Sequence, residues 1–335
     1  MAMADIEKTP FVRELASSDR KTRDKAVDSL TGFLRAKTDL TLLDLLRLWK
    51  GLFFCFYHSD RPLTQQSLAR ALSYSLVPTL PRATLIRFLR AFWFTISRDF
   101  HGLDRLRLDK YLFLIRCYVG VGFEVFLKDA GRGEVDEGRK RKRGEEAQNA
   151  AGKNKKRSKR DVKSGRNGKQ QEREEDGEQE REGGDDAEDR YPGLAAYISI
   201  FEEGPLYPLD FDPDQAPADD GAGGSVPIPH GPDGLRYHLM DIWVDELEKV
   251  LEFEEEGDSA EDDESVRRIK GDVPMELLLR PVETLRAKGL HRPVRIRATE
   301  TLDDERLVEW GFKEKKADKE DESESEDEWG GFGDD

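Results

Sequence analysis

The sequence predicts an all-α fold, built from stacked antiparallel helices and interrupted by a long charged insertion. Apolar residues recur at helical spacing through the first 128 residues, and short polar or proline-containing joints separate these stretches. No segment there combines strand periodicity with turn chemistry. Short joints favour antiparallel neighbours, as in an armadillo- or HEAT-like solenoid or in a helical bundle. Because no fixed sequence period is visible, both arrangements remain open.

The apolar spacing within residues 1–128 predicts five successive helices, and we interpret this segment as a basic helical domain. Ser18 or Asp19 is suited to cap the first helix, and Pro62 fits the first turn of the third. Pro78 and Pro81 separate the third helix from the fourth. The five apolar stripes are Ala26, Val27, Leu30, Phe33 and Leu34; Leu42, Leu45, Leu46, Trp49, Phe53 and Phe56; Leu68, Leu72 and Leu76; Leu85, Phe88, Leu89, Phe92 and Ile96; and Leu108, Tyr111, Leu112, Ile115 and Val119.

The rest of the chain divides into three segments. Residues 129–190 contain few apolar side chains, so this charged insertion is predicted to be disordered. Residues 191–312 predict an acidic, partly helical continuation, interrupted by loops at 204–234 and 254–265. Residues 313–335 predict an acidic disordered tail.

Within the continuation, the clearest helix places its apolar residues on one face. Val273 to Arg286 and Val294 to Trp310 are predicted to form smaller helical or extended pieces that pack back on the first half. The residues of the clear helical face are Leu239, Ile242, Trp243, Leu247 and Val250.

Charge is segregated along the chain, which carries a net charge of −16. Residues 1–128 hold 21 Lys and Arg against 13 Asp and Glu, a balance of +8. Residues 139–170 hold 14 Lys and Arg against 3 Asp and Glu, a balance of +11. Residues 191–312 hold 12 Lys and Arg against 29 Asp and Glu, a balance of −17. The basic front half therefore suits phosphate backbones, whereas the acidic rear half suits basic protein partners.

Two basic clusters lie within the insertion and are separated by a short spacer. Their spacing is typical of a bipartite nuclear import signal, and a disordered basic segment of this kind also suits contact with RNA. Nuclear import receptors are therefore expected partners. The alternative is a solvated charge run. The clusters are Arg139, Lys140, Arg141, Lys142 and Arg143, and then Lys155, Lys156, Arg157, Lys159 and Arg160.

No set of residues indicates catalysis, a metal site or a cofactor site. The five histidines are scattered, and Cys55 and Cys117 lie in apolar helical stretches without a CxxC partner, so reduced core cysteines are expected. Gly120-Val121-Gly122 begins like a dinucleotide loop but lacks the third glycine and a preceding strand. With neither a signal segment nor a long apolar run, we expect a soluble intracellular protein without a membrane partner.

Several aromatic and charged residues allow two interpretations. Trp49, Phe92 and Trp93 lie on apolar stripes, so core packing is favoured over stacking on unpaired bases. The stretch 104–110 interleaves charge with leucine and predicts either intrahelical ion pairs or a binding edge. Near the end of the sequence, Trp329 and Phe332 stand among acidic residues and are suited to dock on a basic, partly apolar partner; a merely solubilising tail is the alternative.

Motifs in the first half resemble those of a known family. Leu48-Trp49-Lys50-Gly51-Leu52-Phe53, and then Ser59-Asp60-Arg61-Pro62-Leu63 with Arg61 in place of the usual lysine, are similar to two of its motifs. Asp104-Arg105-Leu106-Arg107-Leu108-Asp109-Lys110 is similar to a third, and residues 232–247 resemble a later block. On these residues the chain resembles the eukaryotic nucleolar family of ribosomal RNA processing protein one.

This resemblance implies a non-catalytic assembly factor for the large ribosomal subunit, in the nucleus and nucleolus. Such a factor supports processing of spacer-containing precursor RNA as a scaffold, without cutting RNA itself and without a cofactor. Its implied partners are pre-ribosomal RNA, other large-subunit assembly factors and ribosomal proteins. The candidate RNA or partner contacts are Lys50, Arg61, Arg105, Arg107, Lys110 and Arg116, although these residues are equally suited to hold the helices together.

Two other functions compete with this interpretation. An acidic nuclear chaperone for histones or ribosomal proteins would use its acidic segments to shield basic clients. An RNA-cleaving enzyme is the third possibility, but the sequence offers no nucleophile, base or metal set for it. The scaffold interpretation therefore takes precedence.

Overall fold

The computed structural model describes residues 14, 15, 17, 19–128, 185–209, 227–254 and 267–313. Within these residues the predicted all-α class is confirmed, because the regular structure is helical apart from one short two-stranded ladder. Both basic clusters of the nuclear-signal-like segment, and most of the predicted insertion and acidic tail, lie outside the described residues.

Five helices follow one another in the predicted order within residues 19–128. Asp19 accepts a hydrogen bond from the Thr22 amide at 2.9 Å and so caps the first helix, while Pro62 occupies the first turn of the third. The helices are α1 (Arg20–Ala36), α2 (Leu42–Tyr57), α3 (Pro62–Arg70), α4 (Arg82–Asp99) and α5 (105–128). The short π and 3₁₀ turns between them are Ala71–Ser75, Val77–Thr79 and Phe100–Gly102.

The rear half adds six helices and the ladder among the described residues. The helices are α6 (Asp185–Arg190), α7 (Pro192–Glu203), α8 (Asp233–Glu248), α9 (Met275–Lys288), α10 (Arg292–Leu302) and α11 (Glu305–Glu309). Strands β1 (Phe253–Glu254) and β2 (Arg268–Ile269) pair antiparallel, with Phe253 opposite Ile269. Two residues per strand are too few to produce a period in the sequence, so this ladder was not predicted.

Helix α6 begins inside the segment that the sequence assigns to the insertion. Arg190 pairs with Asp272, and Glu188 pairs with Arg280, which also binds Glu202 of α7 through Nε at 2.7 Å. All residues of α6 except Ala187 are charged, so its helical structure depends on these contacts rather than on an apolar stripe.

Aromatic side chains link the two halves through one continuous core. The ring centroid of Trp49 lies 4.9 Å from that of Phe92 and 5.4 Å from that of Tyr118, which joins α2, α4 and α5. Trp93 of α4 lies 4.6 Å from Phe201 of α7, and Phe201 lies 5.0 Å from Trp243 of α8. The predicted burial of Trp49, Phe92 and Trp93 is therefore confirmed.

The two glycines of the Gly120-Val121-Gly122 motif permit close helix packing within α5. A Cβ atom on Gly120 would lie 2.5 Å from the Tyr74 hydroxyl and 2.6 Å from Glu246 Oε2. A Cβ atom on Gly122 would overlap the ring of Tyr197. The motif therefore belongs to the core, where the missing side chains make room for α7 and α8.

The rear helices close on the front half through α7, which packs on α4. Helix α9 packs on α7 and α10, α10 packs on α8, and Trp243 Nε1 donates a hydrogen bond to the Leu278 carbonyl at 3.0 Å. Phe126, near the end of α5, stacks on Tyr197 of α7 at 5.2 Å between ring centroids. The end of α5 therefore lies against α7.

Candidate partner and nucleic-acid interface

Lys110 connects the start of α5 to the end of α2. Its ammonium donates hydrogen bonds to the carbonyl oxygens of Tyr57 at 2.7 Å and Ser59 at 2.9 Å. Carbonyl groups at a helix C-terminus lack intrahelical partners, and a cation there also interacts favourably with the helix dipole. Burial lowers the pKa of Lys110, and the nearby Asp60 carboxylate partly offsets this effect. Lys110 therefore acts as a C-terminal cap for α2.

Arg107 strengthens the same junction. It binds Asp104 at 2.6 Å and donates from Nε to the Tyr57 carbonyl at 3.2 Å, while its guanidinium lies 4.3 Å from the Tyr57 ring centroid. The Tyr57 hydroxyl also donates to Asp104 at 3.0 Å. The hydrogen bond from Arg107 holds the pKa of Asp104 below its usual value. The charged stretch at 104–110 thus forms the ion pair that the sequence allowed, and a bond to another helix as well.

Arg116 lies in a second polar cluster, between α5 and α8. Its Nε atom is 2.6 Å from Glu246 Oε1, and it also pairs with Asp245. Lys249 is 2.5 Å from the same Glu246 oxygen, and Arg306 is 3.0 Å from Asp245. Because Glu246 is buried, these cations compensate a charge that water does not solvate.

Three of the six predicted contact residues are therefore committed to bonds inside the protein. The Lys110 side chain is only 4% exposed, so its assignment as an RNA contact is corrected: binding phosphate would require breaking both carbonyl bonds. Arg107 and Arg116 are partly exposed but already paired with carboxylates. These residues position helices, which is the alternative that the sequence left open.

The other three, Lys50, Arg61 and Arg105, are exposed. None of them forms an ion pair with a residue that the structure describes. Arg61 precedes α3, and Arg105 begins α5; the Lys110 and Arg107 bonds to Tyr57 and Ser59 hold these two segments side by side. Their cationic heads are therefore available to an anionic partner.

Exposed apolar side chains accompany these cations. The side chains of Leu63 and Leu106 are 82% and 91% exposed, and Phe54 is also exposed. Leu63 stands two residues after Arg61, and Leu106 directly follows Arg105. Large apolar side chains next to cations are typical of a surface that binds a partner.

A groove of about 460 Å³ lies beside Lys50, between α2 and the end of α4. Phe54 and Tyr57 line one side of it, and Arg98 and His101 line the other. Arg98 is held by both oxygens of Asp99, at 2.8 and 2.7 Å, and this hydrogen bonding raises the pKa of its guanidinium. Cationic and aromatic groups in one groove suit stacked bases and phosphates.

Sequence reasoning missed Phe54, Leu63, Leu106, Arg98 and His101. Phe54 does leave a sequence signal, because it falls outside the apolar stripe of α2. Leu63 and Leu106 stand among polar residues at helix starts, where an isolated leucine gives no signal by itself. The groove depends on the packing of α2 on α4, which the sequence does not specify.

Potential metal-binding clusters and thiols are the next groups to consider within the described residues. No group of three or more His, Cys, Asp or Glu side chains within them is placed to hold a metal ion. Cys55 and Cys117 are both buried, as predicted, and burial raises the pKa of their thiols to about 12 and about 11. None of the described helices has the length and apolar character needed to cross a bilayer.

Comparison with known proteins assigns the family. A family model described as "Nucleolar protein, Nop52" matches residues 6–136 and 227–331, which together make up well over half of the chain. The chain belongs to the Nop52 family. The match includes the exposed cations Lys50, Arg61 and Arg105 and the helices α8 to α11, and it omits most of the charged insertion.

Curated relatives of this Nop52-family chain carry the family name that the motifs indicated, so the resemblance is confirmed. The chain is 38% identical over 134 residues to ribosomal RNA processing protein 1 homolog B of Homo sapiens, which covers 38% of the chain and 17% of the relative. It is 37% identical over 120 residues to homolog A of Homo sapiens, and this match covers 34% of the chain and 26% of the relative. The ribosomal RNA processing protein 1 homolog of Drosophila melanogaster is 29% identical over 123 residues, and this match covers 35% of the chain and 18% of the relative. The matches thus span about a quarter or less of these relatives.

Proposed function

We propose that this chain is a non-catalytic assembly factor for the large ribosomal subunit, which supports pre-rRNA spacer processing as a scaffold. The observation that carries the proposal is the match of the Nop52 family model to both halves of the chain. The names of the relatives connect those proteins with ribosomal RNA processing. A helical body with exposed cations and apolar side chains supports a binding role.

The proposed interface is the surface formed by Lys50, Arg61 and Arg105 together with the exposed apolar residues Leu63 and Leu106. We assign pre-rRNA phosphates to the three cations, since their charges are unpaired among the described residues. We assign partner assembly factors or ribosomal proteins to the leucines, because aliphatic side chains gain more from protein contact than from a phosphate backbone.

The proposed location is the nucleus and nucleolus. The family description supports it, and so do the basic clusters at 139–143 and 155–160, which suit nuclear import receptors. These clusters lie outside the described residues, so their assignment rests on sequence alone.

Gradient sedimentation of a nuclear extract, with sequencing of the RNA that accompanies the tagged chain, tests the function. We expect co-migration with large-subunit precursors that carry spacer RNA, and release by RNase or high salt. Migration as a small RNA-free complex with histones or free ribosomal proteins would overturn the proposal. The acidic rear half would then favour the chaperone function instead.

Salt-dependent RNA binding tests the interface separately. The variant K50A/R61A/R105A should bind single-stranded precursor RNA more weakly. The slope of log affinity against log salt should fall by about 2, because each phosphate that a cation no longer neutralises lowers it by roughly 0.7. The matched control K21A/K25A/R35A removes three exposed cations from α1. Equal slopes for the two triple variants would show that only the overall charge matters and that this surface is not the site.

A further inference from the structure

The turn between α9 and α10 forms a basic corner inside the acidic rear half. Residues 284–299 contain five Lys and Arg, one His and no Asp or Glu. We call this surface the α9–α10 corner; its cations are Arg286, Lys288, Arg292, Arg295 and Arg297.

Two of these cations have structural partners, and three do not. Arg295 donates to the carbonyls of Gly289 and Leu290 at 2.8 and 3.0 Å, which caps the end of α9, and Arg297 pairs with Asp241 at 2.7 Å. Arg286, Lys288 and Arg292 are exposed and form no ion pair with any residue in the described part of the chain. Their charges are free to bind an anionic group.

A partly apolar groove adjoins these free cations. Tyr237 of α8 lines a groove of about 490 Å³ together with Arg292, Pro293, Ile296, Arg297 and Glu300 of α10. Arg297 binds Glu300 at 2.9 Å, so the carboxylate in the lining is already paired with a cation. Ile296 is 48% exposed, and the side chain of Leu290 in the turn is 51% exposed. The corner therefore combines positive charge with uncovered apolar surface, which suits an acidic peptide that carries large apolar side chains.

We propose that the α9–α10 corner binds the acidic aromatic segment 318–335 of this same chain. That segment holds ten Asp and Glu against one Lys, and it contains Trp329 and Phe332. The carboxylates pair with Arg286, Lys288 and Arg292, and the two aromatic rings cover Ile296 and the groove beside it. Charge and apolar surface thus match on both sides.

The position of Lys313 places the segment within reach. Lys313 donates a hydrogen bond to the carbonyl of Leu302, the last residue of α10, so the chain departs from the far end of that helix. Helix α10 has 11 residues and is therefore about 16 Å long. Trp329 follows Lys313 by 16 residues, and a chain as disordered as the sequence predicts for this tail would have a root-mean-square span of roughly 20–24 Å over that length. The rings reach the start of α10 without stretching the linker.

The apolar surface favours a peptide over RNA at this corner. Leu290 and Ile296 are exposed aliphatic side chains, which bury apolar surface against peptide side chains but not against a sugar-phosphate backbone. A tethered peptide also has an effective concentration in the millimolar range, so weak individual contacts suffice for occupancy.

Carbodiimide cross-linking of the full chain tests the proposal, since this reagent joins carboxylates to lysines. Lys288 should link to carboxylates of residues 318–328 within one chain, at a yield independent of protein concentration. The link should decrease in about 1 M salt, where the screening length is about 3 Å. Exposed Lys21 and Lys25 of α1 are the matched controls and should give no comparable link.

Two surface variants separate specific docking from chance proximity. W329A/F332A keeps the charge of the segment but should lower the Lys288 link about tenfold, because it removes the apolar contact. R286A/R292A should lower it as well. An unchanged yield in W329A/F332A, or a link that forms only between chains, would overturn the proposal. A second result would also overturn it: no Lys288 link forms, and R286A/K288A/R292A binds a uridine oligonucleotide more weakly than K21A/K25A/R35A does. The corner would then bind RNA instead of the acidic segment. None of these readouts depends on precursor particles, so failure here leaves the proposed function standing.

Discussion

Lys110 shows how a single side chain determines the geometry at one end of the front half. Its ammonium replaces the hydrogen-bond donors that the Tyr57 and Ser59 carbonyls lack where α2 ends. Ser59 is buried, so its carbonyl would lose a bond without gaining water. A charged residue of a family motif can therefore stabilise the fold directly and support the neighbouring binding surface only indirectly.

Replacing Lys110 with Met should destabilise the protein by about 1–3 kcal/mol, the cost of leaving a buried carbonyl without a donor. The matched change Lys50→Met, at an exposed lysine of α2, should change the free energy of unfolding by less than about 0.5 kcal/mol. Urea denaturation of both variants measures this difference. Equal effects would contradict the capping role.

His238 should make stability depend on pH. Its Nε2 lies 3.0 Å from the Leu112 carbonyl, between α8 and α5, and burial lowers its pKa below the usual value. Since the folded-state pKa is depressed, the stability contribution is full above about pH 6.5 and is lost as pH falls below that value.

The variant His238→Gln keeps a hydrogen-bond donor without a titrating ring. It should therefore lose less stability than the wild type between pH 7.5 and pH 5.5, as measured by urea denaturation at each pH. His58→Gln, at an exposed histidine, serves as the control and should keep the wild-type pH dependence. The hypothesis fails if both variants behave alike.

At the scale of helices, α5 depends on two residues that lack side chains. Gly120 admits Tyr74 and Glu246, and Gly122 admits the ring of Tyr197, so the helix accepts neighbours from several directions. Glycine costs about 1 kcal/mol relative to alanine inside a helix. The close packing of α7 and α8 offsets this cost.

Gly120→Ala and Gly122→Ala should each destabilise the protein by about 1–3 kcal/mol through overpacking, despite the better helix propensity of alanine. Gly32→Ala is the matched control, because nothing lies within 4 Å of a Cβ atom at this helical position. It should stabilise the protein by about 0.5–1 kcal/mol. Denaturation midpoints should therefore shift in opposite directions, and a shared direction would refute the packing role.

Helices with a wide apolar stripe were predictable from the sequence, and α2 and α4 are examples. Leu42, Trp49 and Phe56 repeat at helical spacing whatever the tertiary context, so periodicity suffices to find them. Helix α6 and the two-residue strands have no such pattern, and contacts across the fold hold them in place. Local sequence cannot encode these elements because their stabilising partners lie far along the chain.

The interface was only partly predictable, for a similar reason. Charge and motif identified Arg105, Arg107 and Lys110 together, but they could not separate an exposed cation from a buried one. That distinction depends on where the α2–α3 turn lies against α5. The α9–α10 corner went unnoticed because the negative total for residues 191–312 concealed its local positive charge.

At the scale of the whole molecule, the described parts of both halves share one core. A chain of ring contacts runs from α2 to α8 through Trp49, Phe92, Trp93, Phe201 and Trp243. Glu203 of α7 also lies 2.8 Å from Arg90 of α4 and adds an ion pair across the same boundary. Elements that bury one another's apolar faces are expected to unfold together.

Hydrogen exchange in increasing urea should therefore show global opening of α2 and α9 at the same denaturant concentration. Peptides from the two helices can be followed separately by mass spectrometry, so each half reports its own transition. Gly122→Ala should move both transitions together, since its clash with Tyr197 lies between the halves. Opening of α9 well before α2 would show that the halves fold independently.

The contact between Phe126 and Tyr197 has an evolutionary consequence. It holds α5, which precedes the segment 129–184, against α7, which follows it after α6, so the length of that segment does not strain these two helices. For a flexible loop of the kind that the sequence predicts here, doubling the length costs only about 0.6 kcal/mol. The charged stretch can therefore gain or lose codons almost neutrally. The same position is suited to the insertion of a fluorescent domain.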